Sequence, residues 1–111
     1  MILAECPDIA EPSEYFKGFT YPDDYEQKKA LRENYDLPGW VALRHSECCR
    51  DNQVILLTRP GNEDYARTAK LHPVFSMEEA LKLAYEKSGL DRPRITVMPF
   101  GANTFPLLSE R

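Results

Sequence analysis

Gln53-Val54-Ile55-Leu56-Leu57-Thr58, closed by Arg59-Pro60-Gly61-Asn62, carries the clearest signal of fold class in the chain. It is short, apolar without alternation and rich in branched residues, and a turn signal ends it. That pattern predicts a strand buried on both faces, and strands of that kind belong to parallel sheets covered by helices. Downstream, Ser76-Met77-Glu78-Glu79 has the form of a capping box, with Ser76 placed to accept from the Glu79 amide. Met77, Ala80, Leu81 and Ala84 follow at helical spacing as an apolar stripe, and Ser88-Gly89 supplies the stop. Beyond Asp91-Arg92-Pro93, the run Arg94-Ile95-Thr96-Val97-Met98 reads as a second strand, ended by Pro99 and Gly101. Strand, helix and strand in this order predict a β-α-β unit with a right-handed crossover.

Upstream, the pattern is less regular. Ile2-Leu3-Ala4 reads as a third strand, Ser13 to Phe19 as a short helical piece, and Pro22 to Asn34 as a charged helix. On that helix Tyr25, Lys29 and Arg32 share a face. Pro38-Gly39 reads as an interruption, after which Trp40-Val41-Ala42-Leu43 opens a helix running to about Arg50. The fold class expected is α/β: a mostly parallel sheet of three or more strands flanked by helices in three layers. Residues 1–111 form a single α/β domain in this reading. Because the chain opens inside a strand, a domain that simply starts there and a segment of a larger two-domain protein are both open.

Composition narrows the function classes. The chain has 111 residues, 42% hydrophobic and 29% charged, which are globular values, and a net charge of −4 with no cluster of Lys and Arg. A phosphate-tracking surface needs concentrated positive charge, so neither nucleic acid nor an anionic membrane is expected as a partner. No apolar run reaches the length of a membrane span, and the acidic start lacks the form of a signal peptide. Three cysteines, two of them adjacent, do not make a secreted disulfide framework. Reduced thiols in the cytoplasm are the expectation.

Candidate chemistry is sparse. His45, Cys48 and Cys49 stand at i, i+3 and i+4 and could share a helix face, as ligands of a soft metal do. Without a Cys-x-x-Cys pair, a solvated His beside two partly buried Cys is favoured. His45 and His72 are the only histidines, and neither lies in a glycine-rich turn that would offer an oxyanion hole to a Cys nucleophile. Phe100-Gly101-Ala102-Asn103-Thr104 follows a strand, where α/β sheets bind ligands, yet lone glycines are no phosphate loop. No catalytic residue and no metal ligand is assigned. Trp40, the single tryptophan, follows Pro-Gly; such a residue is a core anchor or the aromatic wall of a ligand site.

Three segments together resemble a known family. Ile2-Leu3-Ala4-Glu5-Cys6 with Glu14-Tyr15-Phe16 looks like the strand and helix that open the final portion of nickel-dependent lactate racemases. Ser76-Met77-Glu78-Glu79-Ala80-Leu81 with Gly89 is similar to a helix of that family. Ile95-Thr96-Val97-Met98-Pro99-Phe100-Gly101 through Phe105-Pro106 resembles its closing strand and tail. The match spans nearly the whole chain but only about the last quarter of such a protein. The resemblance implies a two-domain racemase or epimerase of 2-hydroxy acids that carries a nickel pincer nucleotide. The catalytic histidines and the cofactor-bearing residues would lie in an N-terminal catalytic domain, so none is carried over to His45, His72 or a Lys of this chain. Trp40 alone matches a family position, an aromatic residue near cofactor and substrate, which implies partial exposure at an interdomain cleft. Asp8-Ile9-Ala10-Glu11-Pro12 departs from the family's glycine-rich turn, which puts close backbone approach to a ligand there in doubt. This chain alone is then expected to be inactive. The rival expectations are a stand-alone α/β binding module and, less favoured, a small enzyme using a Cys.

Overall fold

A computed structural model describes residues 1–104. The elements are β1 (Ile2–Leu3), α1 (Ser13–Lys17) with a 3-10 turn at Gly18–Thr20, α2 (Asp24–Glu33), α3 (Leu37–Asp51), β2 (Ile55–Leu57), α4 (Glu63–Thr68), β3 (His72–Val74) and α5 (Met77–Ser88). A last 3-10 turn spans Gly101–Asn103. The three strands form one parallel sheet in the order β1-β2-β3. It is the expected α/β architecture, with β2 central.

The pleat sorts the core into two layers. Ile2, Leu56 and Pro73 are in register across the sheet, as are Leu3, Leu57 and Val74, and alternate residues point to opposite faces. Ile55, Leu57 and Val74 pack against Ala80, Leu83 and Ala84 of α5. Leu56, also buried, points the other way, under the layer made by α1, α3 and α4. That layer is tied together by the Phe16–Tyr65 ring contact and a hydrogen bond from His45 to the Ala69 carbonyl. Gly18 lets the 3-10 turn approach α3: a Cβ there would stand 2.5 Å from that of Ala42. Asp24 pairs with Arg50, and Lys28 with Glu47 at 3.0 Å, so salt bridges fasten α2 to α3.

Several local readings need correction. Arg94–Met98 has no regular secondary structure and pairs with no strand; the β-α-β unit is β2-α4-β3 instead. Pro73 disguised β3 in the sequence, because proline cannot donate in a central strand. On this edge strand it costs nothing: His72 donates to the Val54 carbonyl at 2.9 Å and Val74 accepts from Thr58 at 3.1 Å, while position 73 turns outward. Pro38-Gly39 does not interrupt a helix; both residues lie in the first turn of α3, where proline is tolerated and Asp36 caps the Gly39 amide at 2.6 Å. The stripe of α5 is rotated, since Met77 and Leu81 are exposed and Leu83 packs inward. Tail residues Phe105-Pro106, part of the family resemblance, lie outside the described residues.

The cap of α5 forms with one change. Ser76 Oγ accepts from the Glu79 amide at 3.1 Å, whereas the Glu79 carboxylate accepts from the amide of Phe75 at 3.0 Å. Gly89 closes the helix at φ +62°, the left-handed conformation glycine adopts freely. Ser76→Ala is expected to lower stability by about 1 kcal/mol. In denaturant melts the midpoint should fall with an unchanged slope.

Candidate functional site

In a parallel sheet, ligands sit beyond the carboxyl ends of the strands. Here that edge carries the loops after β1 and β2, and a buried polar junction joins them. Asn62 Nδ2 reaches the carbonyls of Glu5 (3.1 Å) and Cys6 (3.0 Å) and the hydroxyl of Thr58 (3.0 Å). Thr58 Oγ1 itself donates to the Glu5 carbonyl at 3.0 Å, and Arg59 to that of Pro7 at 2.6 Å. Cys6 holds φ at +50°, uncommon for a residue with a side chain; the grip of Asn62 on its carbonyl fixes it there. The sequence showed Asn62 only as the end of a turn. Its partners lie 56 and 57 residues away, a distance no local pattern reveals.

Helix α3 leads into β2 through Asn52, Gln53 and Val54, so its first turn is the end remote from that connection. Trp40 lies there, 45% exposed, with Leu37 and Val41 also exposed. Three residues and one residue away respectively, these side chains leave an apolar patch on α3 that nothing in the described residues covers. Trp40 is therefore not a fully buried core anchor. A groove of about 420 Å³ opens nearby, lined by Gly18, Tyr21, Gln27, Leu31, Asp36 and Gly39 among others. A shallower one, about 320 Å³, lies on the β3 edge between His72, Arg67 and the α5 side chains Glu79, Lys82 and Glu86.

His45 is occupied in the structure of α3. The Ala69 carbonyl can only accept, so Nε2 carries the proton and donates to it at 2.8 Å; Nδ1 then accepts from the Tyr15 hydroxyl at 3.0 Å. The rings of Tyr15 and Phe19 meet the imidazole edge to face. Burial pushes the Tyr15 hydroxyl up to about 12, which keeps it a donor. Both nitrogens of His45 are thus engaged, and Cys48 on the same helix is exposed and free. Burial, with a smaller contribution from Cys48, pushes the Cys49 thiol up, opposite to the direction that activates a nucleophile. His72 bonds Gln53 at 2.9 Å. Among the described residues no three His, Cys, Asp or Glu side chains are grouped to hold a metal ion.

Burial holds His45 below its ordinary value near 6.5, against the opposing pull of the Ala69 carbonyl and with help from Lys70. His72 is also lowered, by burial and then by Lys87 and Arg67. A depressed folded value means that the unfolded chain binds protons more readily, so stability falls as pH falls. The contribution is present in full above about pH 6.5 and is lost as the pH drops from there through the folded value. His45→Gln should flatten this limb of a plot of denaturation midpoint against pH between 7.5 and 5.5. An unchanged slope would mean that the imidazole is not held neutral.

Comparisons with protein-family models, with curated protein sequences and with solved structures returned no match to this chain. Among the described residues no helix is long and apolar enough to cross a membrane.

Proposed function

We propose that this chain is the C-terminal α/β segment of a lactate racemase-like racemase or epimerase of 2-hydroxy acids, acting in the cytoplasm. It walls an interdomain cleft, while an N-terminal catalytic domain carries the nickel pincer nucleotide and the acid–base residues. The observation that supports this most is the exposure of Trp40 with Leu37 and Val41 at the start of α3. A large aromatic beside apolar neighbours suits a partner surface or a flat ligand. The residues around it fit an aromatic wall and not a nickel shell: neither Cys nor His falls within the first turn of α3, and His45 has both nitrogens bonded. The cofactor supplies a hydride acceptor when bound; what this chain contributes is apolar surface that excludes water.

Trp40 fluorescence tests the reading directly, since the chain has one tryptophan. Adding a lactate racemase catalytic domain loaded with its nickel nucleotide should quench the emission and protect it from acrylamide. Trp40→Ala should leave the melting of this chain nearly unchanged and abolish that association. An emission insensitive to the added domain would contradict the proposal.

A further inference from the structure

The free edge of β1 and the unpaired segment Arg94–Met98 are the two parts of the molecule that the packing leaves unexplained. A strand of a parallel sheet is normally covered on both faces, and an apolar edge left open is a place where another strand can add. Yet Ile2 and Leu3 are 47% and 56% exposed, and Ile95 and Val97 are 65% and 78% exposed. The Ala4 amide donates to the Leu57 carbonyl at 3.0 Å. Backbone groups alternate sides along a strand, so those of Leu3 face the open edge.

We propose that Arg94–Met98 closes onto this edge as a fourth parallel strand, giving the order 94–98, β1, β2, β3. The crossover rule selects the edge. β2 reaches β3 through α4, which belongs to the layer over Leu56, whereas α5 packs on the opposite face, against Ile55 and Val74. Connections between parallel strands are right-handed. Moving the connecting helix to the other face therefore reverses the direction in which the next strand is laid down. From β3 the chain must turn back past β2 and β1, and the first vacant position lies beyond β1. A place beside β3 would demand a left-handed crossover.

The connection is long enough. Gly89 to Pro93 are five residues, which span up to roughly 17 Å when extended. The target lies two strand spacings from β2, about 10 Å sideways, and about 10 Å below the helix layer, or about 14 Å in all. The closing strand would bury one apolar face, Ile95 and Val97, while Arg94, Thr96 and Met98 form the other.

Amide hydrogen exchange on the whole chain, read residue by residue by NMR, tests the closure. The Leu3 amide and alternate amides of 95–98 should exchange at least about tenfold more slowly than free amides. Val97→Pro, at a largely exposed position, should return Leu3 to the free rate while Thr58, bonded to Val74, stays protected. Leu3 exchanging freely in the unaltered chain would overturn the proposal. Protection that appears only in a dimer, seen by light scattering, would overturn it too, since a second copy would then be the donor.

Discussion

Asn62→Asp is expected to be among the most damaging single substitutions, costing about 3–5 kcal/mol, as an uncompensated buried charge does. The side chain is 4% exposed, and its amide faces two carbonyls and a hydroxyl. A carboxylate of the same shape would present acceptors to acceptors. Asn62→Ala should be milder. The Glu5 carbonyl keeps its bond from Thr58, and the Cys6 carbonyl is the group left without a donor, a loss of about 1–3 kcal/mol. Denaturant melts of both variants fix the order. If Ala proved worse than Asp, shape and not hydrogen bonding would hold the two loops together.

Ile55→Ala is the second large effect, expected at about 2–5 kcal/mol for a buried aliphatic truncated in a core. Ile55 sits at the centre of the cluster with Val74 and Ala80, whose own side chains are too small to close over the gap. A chain of this size has a total stability of about 5–15 kcal/mol, so the variant should melt at a clearly lower temperature. Thermal unfolding followed by circular dichroism gives the number. A loss under about 1 kcal/mol would mean that the α5 face of the sheet is not the principal core.

The parts of the fold legible in the sequence were those in which one local signal sufficed. β2 stood out because five apolar or branched residues run together, and α5 because Ser76, Glu79 and Gly89 mark both its ends. β3 was hidden by Pro73, and α4 by its six-residue length and its polar opening, Glu63-Asp64. The strand read at Arg94–Met98 has a branched, apolar composition, yet it is unpaired in the structure, because composition alone does not specify a partner strand. The site was less legible than the fold. Trp40 drew attention as the sole tryptophan, whereas the Asn62 junction and the Tyr15–His45–Ala69 chain join positions far apart in sequence. Only tertiary structure brings such groups together.

The central claim is that this chain completes a 2-hydroxy-acid racemase without performing the chemistry itself. A chiral assay of lactate decides it, run with this chain alone, with a nickel-nucleotide-loaded racemase catalytic domain alone, and with the two combined. Interconversion of the enantiomers is predicted only in the combined sample, and Trp40→Ala should reduce it at least about tenfold, the scale of a lost positioning contact. Turnover by this chain alone, or a catalytic domain whose rate the chain leaves unchanged, would contradict the account.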